Sequence, residues 1–214
     1  VDTVNVGAML SELWPEAAIH VLNDLTCAGY SFVRSGHYNF CVLTVGSGIG
    51  NKIFLDGKPY VGDEGFGGEI GHVKVSPRRG TAVADVRADL GHISSGRGTV
   101  SLAKLWAERR PEDFRNSELA DVSDRYPDQL WSERLVAAFR GSDALARAII
   151  EAAAQPLAEA LSHIHLGLGI TRFFITGGFA SALGEEYRRI LVRILQETAW
   201  DLGLDWDSMI IVSD

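Results

Sequence analysis

Three times along this 214-residue chain an apolar, strand-like run breaks off in a polar or glycine-rich turn. Residues 18–22 (AIHVL) run into Asn23-Asp24, residues 40–45 (FCVLTV) into Gly46 to Gly50, and residues 172–176 (RFFIT) into Gly177-Gly178. Each run reads as a buried strand, and FCVLTV is apolar enough to be buried on both faces. Helical spacing lies between and after them, at residues 25–33, 99–109, 143–166 and 184–202, with Pro156 as a kink or break near the middle of the third. Residues 209–212 form a last strand. Interleaved strands and helices predict an α/β fold. In open α/β sheets ligands bind outside the carboxyl ends of strands, so all three turns are candidates for one crevice.

Other segments fill in the frame. NKIFLDGKPYVG reads as a hairpin turning at Asp56-Gly57, followed by a glycine-rich turn, GDEGFGGEIGH. Residues 76–89 have no clear period and read as a loop. Residues 110–141 mix charges with Trp131, Leu135 and Phe139 at i, i+4 spacing, which suggests solvated helices. With 46% hydrophobic and 22% charged residues the chain is of ordinary globular composition. A net charge of -8 with 20 lysines and arginines leaves no basic surface for a nucleic acid partner through this stretch. No run reaches the roughly twenty apolar residues of a membrane helix, and nothing at the start resembles an export signal. Cys27 and Cys41 fit neither a staple framework nor a zinc spacing, so reduced thiols and a cytoplasmic location are expected. The opening VDTVNV has no initiator methionine and the chain stops as a strand ends, so it reads as a segment of something longer.

Glycines let a backbone approach a ligand and aim several amides at an anion, so residues 46–50 suggest phosphate binding; taken alone, the plainer reading is a tight turn between two strands of one meander. No Gly-Lys-Ser/Thr follows, so this is not a Walker loop, and no helix begins there as a dinucleotide fingerprint requires. Asp24, a carboxylate at a strand end beside an amide, is placed to take a proton from a hydroxyl, or else caps a helix. Glu69 and His72, three apart, would share a face of one helical turn and suit a polyhydroxylated ligand; the plainer reading is a surface glutamate and a core histidine. The other histidines have no such spacing and read as structural.

Four elements in order, VLNDLTCAG (21–29), LTVGSGIGNKIFLDGK (43–58), GDEGFGGEIGH (62–72) and FFITGGFAS (173–181), resemble the ROK family of sugar kinases and related repressors, with a looser similarity to bacterial glucokinases. The resemblance implies a ribonuclease-H-like/actin-like ATPase fold, a mixed sheet flanked by helices, with residues 1–214 forming mainly the larger lobe of a kinase domain. It implies Asp24 as general base and Asn23, Glu69 and His72 as sugar ligands. It further implies Gly46, Ser47, Gly48 and Gly50 as a phosphate loop, Gly177 and Gly178 beside adenosine, ATP with Mg2+ as cofactor, and a homodimer. Two lobes would close over ATP and a sugar or cyclitol.

Departures from the family pattern are as informative. Many members carry a Cys-x-Cys-Gly-x-x-Gly-Cys zinc cluster after Glu-x-Gly-His, but residues 76–89 contain no cysteine, so structural zinc is not expected. Counting back from Ser95-Gly96, the place of the family's third sugar-contacting glutamate falls on Gly91. A substrate lacking the usual anomeric-side hydroxyls, such as a cyclitol or modified sugar, His92 standing in, or loss of activity would each follow. The N-terminal Asp-x-Gly-Gly-Thr phosphate motif and the Gly-Ala-rich final helix are also absent from this sequence. The resemblance therefore implies an ATP-dependent kinase of a sugar-like polyol, with a sugar-sensing repressor domain or a pseudokinase as alternatives.

Overall fold

The computed structural model describes residues 4–63, 67–121, 127–200 and 203–213. Glu64 to Phe66 of the glycine-rich turn and the last two residues of the 184–202 helix lie outside that description. The elements run α1 (Val6–Leu13), α2 (Asp24–Arg34), β1 (Phe40–Val45), β2 (Ile49–Leu55), β3 (Lys58–Pro59), a 3-10 turn (Ile70–His72), β4 (Lys74–Val75) and β5 (Ala88–Asp89). There follow α3 (Leu90–Ser94), α4 (Gly96–Arg109), α5 (Pro111–Phe114), α6 (Asp128–Arg140), α7 (Ala144–Leu168), β6 (Phe173–Thr176), α8 (Gly178–Thr198), α9 (Trp206–Met209) and β7 (Ile210–Val212).

The main sheet has five strands in the order β3-β2-β1-β6-β7. β2 pairs antiparallel with both β1 and β3, and β1-β6-β7 are parallel, so the sheet is mixed. Alternation along β1 decides what each face meets. Phe40 and Val42 join Phe54, Phe174 and Leu25 in a small cluster under α2, while Cys41, Leu43 and Val45 enter the large core shared with α3, α4, α6, α7 and α8. Phe40 stacks on Phe54 at 4.8 Å and Phe32 on Phe174 at 3.8 Å. Burying each such ring is worth about 1.5–3 kcal/mol. α2 can sit this low only because residue 29 is glycine: a Cβ there would lie 2.0 Å from the Phe54 ring. That close seat brings the start of α2, with Asn23 and Asp24, to the carboxyl end of β1.

Four expectations need correction. Residues 18–22 form no strand, and Val21 and Leu22 are 57% and 49% exposed. An apolar run becomes a strand only where a sheet edge supplies hydrogen bonds, and this one pairs with neither β3 nor β7. The loop at 76–89 ends in β5, whose Asp89 pairs across a two-stranded sheet with Lys74 of β4. α7 runs through Pro156 unbroken. The carbonyl that a proline leaves without its helical donor belongs to residue 152, and the Arg78 amide binds it at 3.1 Å, while Ser94 Oγ donates to Ala153 O at 2.6 Å. Lastly, α8 starts at Gly178, and the predicted start at Gly184 is a non-helical joint (φ 66°, ψ -150°) between two helical pieces.

Candidate active site

Asn23, Asp24, Gly46, Ser47, Gly48, Gly50, Glu69, Gly177 and Gly178 line one cavity of about 410 Å3. The Asn23-Asp24 pair caps a helix and also faces the cavity. Asn23 caps α2, its Oδ1 accepting the Leu25 amide at 3.0 Å, and Asp24 Oδ1 accepts the same amide at 2.8 Å, yet both side chains remain exposed toward the cavity. Thr176 Oγ1 donates to Leu43 O at 3.0 Å and ties the carboxyl ends of β1 and β6 together. Beyond them Gly177 turns at φ 104°, where a Cβ would stand 2.6 Å from Thr44 Oγ1 and 2.9 Å from the Val45 backbone. Glycine alone fits there.

The turn at Gly46 to Gly48 is clamped from behind. Gly96 N donates to Gly46 O at 2.7 Å, Arg97 Nε to Ser47 O at 2.9 Å, and Gly46 N to Gly48 O at 3.1 Å. A trans peptide sets its N–H opposite its C=O, so fixing the Gly46 and Ser47 carbonyls on the start of α4 turns the amides of Ser47 and Gly48 to the open side. Two fixed amide donors on a glycine turn make a seat for an anion.

His72 is not brought into this cavity. Glu69, which lines it, precedes the 3-10 turn with φ -108° and ψ 40°, outside the helical turn that holds His72. His72 lines a second hollow of about 520 Å3 with Asp89, Gly91, His92 and Arg97, which shares only Ser47, Gly48 and Ile49 with the first. There Asp89 Oδ2 lies 3.7 Å from His72 Nδ1 and 3.9 Å from His92 Nδ1, and its other oxygen is ion-paired with Lys74. The Lys74 ammonium, chiefly, holds the Asp89 carboxyl below the usual aspartate range. A third hollow, about 660 Å3, opens on the other side of Gly46 and Ser47, walled by Val100, Val136, Phe179 and Ala182, with Gly178 at its edge. Among the described residues no group of three or more His, Cys, Asp or Glu is arranged to hold a metal ion, and no helix is long and apolar enough to cross a membrane.

The ROK family profile matches residues 11–201. The chain belongs to the ROK family. A relative, the C(7)-cyclitol 7-kinase of Streptomyces hygroscopicus subsp. limoneus, is 36% identical over 171 residues, covering 79% of this chain and 49% of that protein. The chain thus spans about half the length of this relative. A ROK family glucokinase from Streptomyces griseus, solved in complex with glucose and AMPPNP, superposes with a TM-score of 0.68 at 22% identity, covering 97% of this chain and 66% of that one. A ROK family transcriptional regulator, a homologue of the E. coli MLC protein, gives 0.74 at 18% identity, covering 99% and 51%. The fold is therefore the actin-like ATPase fold, here with a five-stranded mixed sheet flanked by helices.

Within this ROK frame two residues of the cavity, Asn51 and Lys52, and one behind its glycine turn, Arg97, escaped sequence reasoning. Asn51, 2% exposed, accepts the Ile70 amide on Oδ1 at 3.2 Å and so anchors the loop carrying Glu69 to β2. Its Nδ2 meets Cys41, whose thiol burial pushes up to about 12. Arg97 braces the glycine turn, as above. Lys52 lies in β2, 8% exposed, with its ammonium on the Gly67 carbonyl. A polar pair in the middle of the apolar strand IGNKIFL was the available signal for Asn51 and Lys52.

Proposed function

We propose that this chain carries the acceptor-binding and phosphate-binding part of an ATP-dependent kinase for a sugar or cyclitol, with Asp24 as general base. The observation that carries the reading is the single cavity holding Asp24, Glu69 and the glycine turn, bordered by an apolar hollow across Gly46 and Ser47. The cyclitol 7-kinase relative and the glucokinase complex with glucose and an ATP analogue support it.

The chemistry follows from the parts. Asn23 and Glu69 hydrogen-bond ring hydroxyls and hold one of them against the Asp24 carboxylate. Asp24 takes that proton as the oxygen attacks the terminal phosphorus of ATP, and ADP leaves. The Ser47 and Gly48 amides bind the oxygens on which charge is spread, and need no reorganisation to do so. The purine fits the apolar hollow against Phe179 and Val136, with Gly178 close to the ribose. Magnesium arriving with the nucleotide would supply further charge neutralisation. The reading extends to the cytoplasm, where ATP is available, and to a homodimer, which sedimentation of the whole protein would check.

ADP release by the whole protein over hexoses, amino sugars and cyclitols tests it. Asp24→Asn should lower kcat by about 100-fold or more, the range of a lost general base, with little change in acceptor KM. If no acceptor gives turnover, and Asp24→Asn behaves as the parent does, the kinase reading falls. The likeness to the transcriptional regulator favours a second reading, a sugar sensor, in which the same cavity binds without turnover.

A further inference from the structure

Lys52 is out of keeping with its surroundings. β2 is buried from Asn51 to Phe54, and a lysine inside such a strand loses the water around its ammonium. Among the described residues the ammonium has no carboxylate partner; it donates to the Gly67 carbonyl, a neutral group. An ammonium has three donors, so two are left for something else. The aliphatic stem runs beside Gly68, whose φ of 96° and close approach to the Asn51 carbonyl exclude any side chain, and the tip ends at the carbonyl of Gly67, two residues before Glu69 in the chain; Lys52, Gly68 and Glu69 all line the cavity. Three charged side chains line that cavity, Asp24, Glu69 and Lys52, two negative and one positive.

We propose that Lys52 is a specificity-determining residue: its ammonium donates to an oxygen on the acceptor ring beside Glu69, so that the site takes rings bearing hydroxyls there and rejects rings bearing a protonated amine. This rests on the reading of the cavity as an acceptor site. With two carboxylates alone, the cavity would draw ammonium-bearing rings. The lysine reverses that preference where it reaches, because it repels a second cation and already offers the donors that an amine would duplicate.

The test uses the whole protein and acceptor pairs that differ by one hydroxyl for one ammonium: glucose against its 2-amino and 3-amino forms, and an inositol against the amino-inositol. Turnover is read with ATP, and binding is read by calorimetry without it. The parent should prefer the hydroxyl member of at least one pair by about tenfold or more. Lys52→Met keeps the stem and removes the charge, and should bring that ratio to within about twofold, raise acceptor KM, and leave the KM for ATP and the melting temperature in place. Lys52→Gln, which keeps a donor without charge, should restore part of the hydroxyl affinity but not the rejection of amines. A parent with no preference in any pair, a preference that survives both substitutions, a change confined to the KM for ATP, or loss of folding in both variants would each overturn the proposal. Turnover with an unmoved preference sinks Lys52 alone. Charge-selective binding without turnover, lost in Lys52→Met, keeps Lys52 and sinks the kinase reading. Neither binding nor turnover sinks both.

Discussion

At position 91 the chain has room for a side chain it does not carry. A Cβ on Gly91 would meet the Gly71 carbonyl at 3.4 Å and the Ile49 amide at 3.8 Å, both ordinary contacts, and the residue lies in the first turn of α3, where a negative charge is favourable. Gly91→Glu should therefore leave unfolding free energy within about 0.5 kcal/mol of the parent. It should also add a carboxylate to the hollow of His72 and His92 and raise kcat/KM for hexoses relative to cyclitols. An unchanged hexose-to-cyclitol ratio would separate position 91 from acceptor choice. At this scale the legible residues were those whose constraint is local. Gly177 needs its positive φ, and Asn23 needs only the helix that follows it. That His72 lines a hollow next to the one lined by Glu69 was not legible, because spacing does not encode how the backbone enters the 3-10 turn between them. Lys52 was missed because its meaning comes from Gly67, fifteen residues away.

Elements were legible where pattern and partner agree. β1, β2, α2 and α4 lie close to their expected bounds because their apolar periods match a sheet or helix face that is actually covered. Residues 18–22 have the period without the cover, and sequence alone does not separate the two cases. α7 presents the opposite case, in which a supposed breaker is tolerated because Arg78 and Ser94 take up carbonyls next to the gap. The start of the same helix gives a measurable prediction. Asp143 caps it through Ala146 N at 2.8 Å and also accepts from Ser117 Oγ and Glu118 N, tying the segment before α6 to α7. Burial pushes this carboxyl up, but those donors outweigh it and hold it below the usual 3.8. Asp143→Ala should cost about 1–2 kcal/mol in urea unfolding at neutral pH. A lowered native value means the stabilisation is complete above pH 3.8 and fades as pH falls through that native value, so parent and variant should converge in strong acid.

For the molecule as a whole, ties between distant segments join loop and helices. Glu151 on α7, whose side chain is 17% exposed, meets Arg78 at 3.0 Å, Arg147 at 3.8 Å and Arg193 at 2.9 Å, joining the 76–89 loop, α7 and α8. Glu151→Gln leaves three guanidinium groups without their shared counter-charge, and should lower stability by about 1–2 kcal/mol after allowance for partial exposure. Thermal unfolding that matches the parent would show the cluster to be incidental. The residue that the whole arrangement converges on is Ser47, which borders all three hollows. A residue common to three chambers has no private side, so enlarging that serine would narrow every one of them in a single stroke.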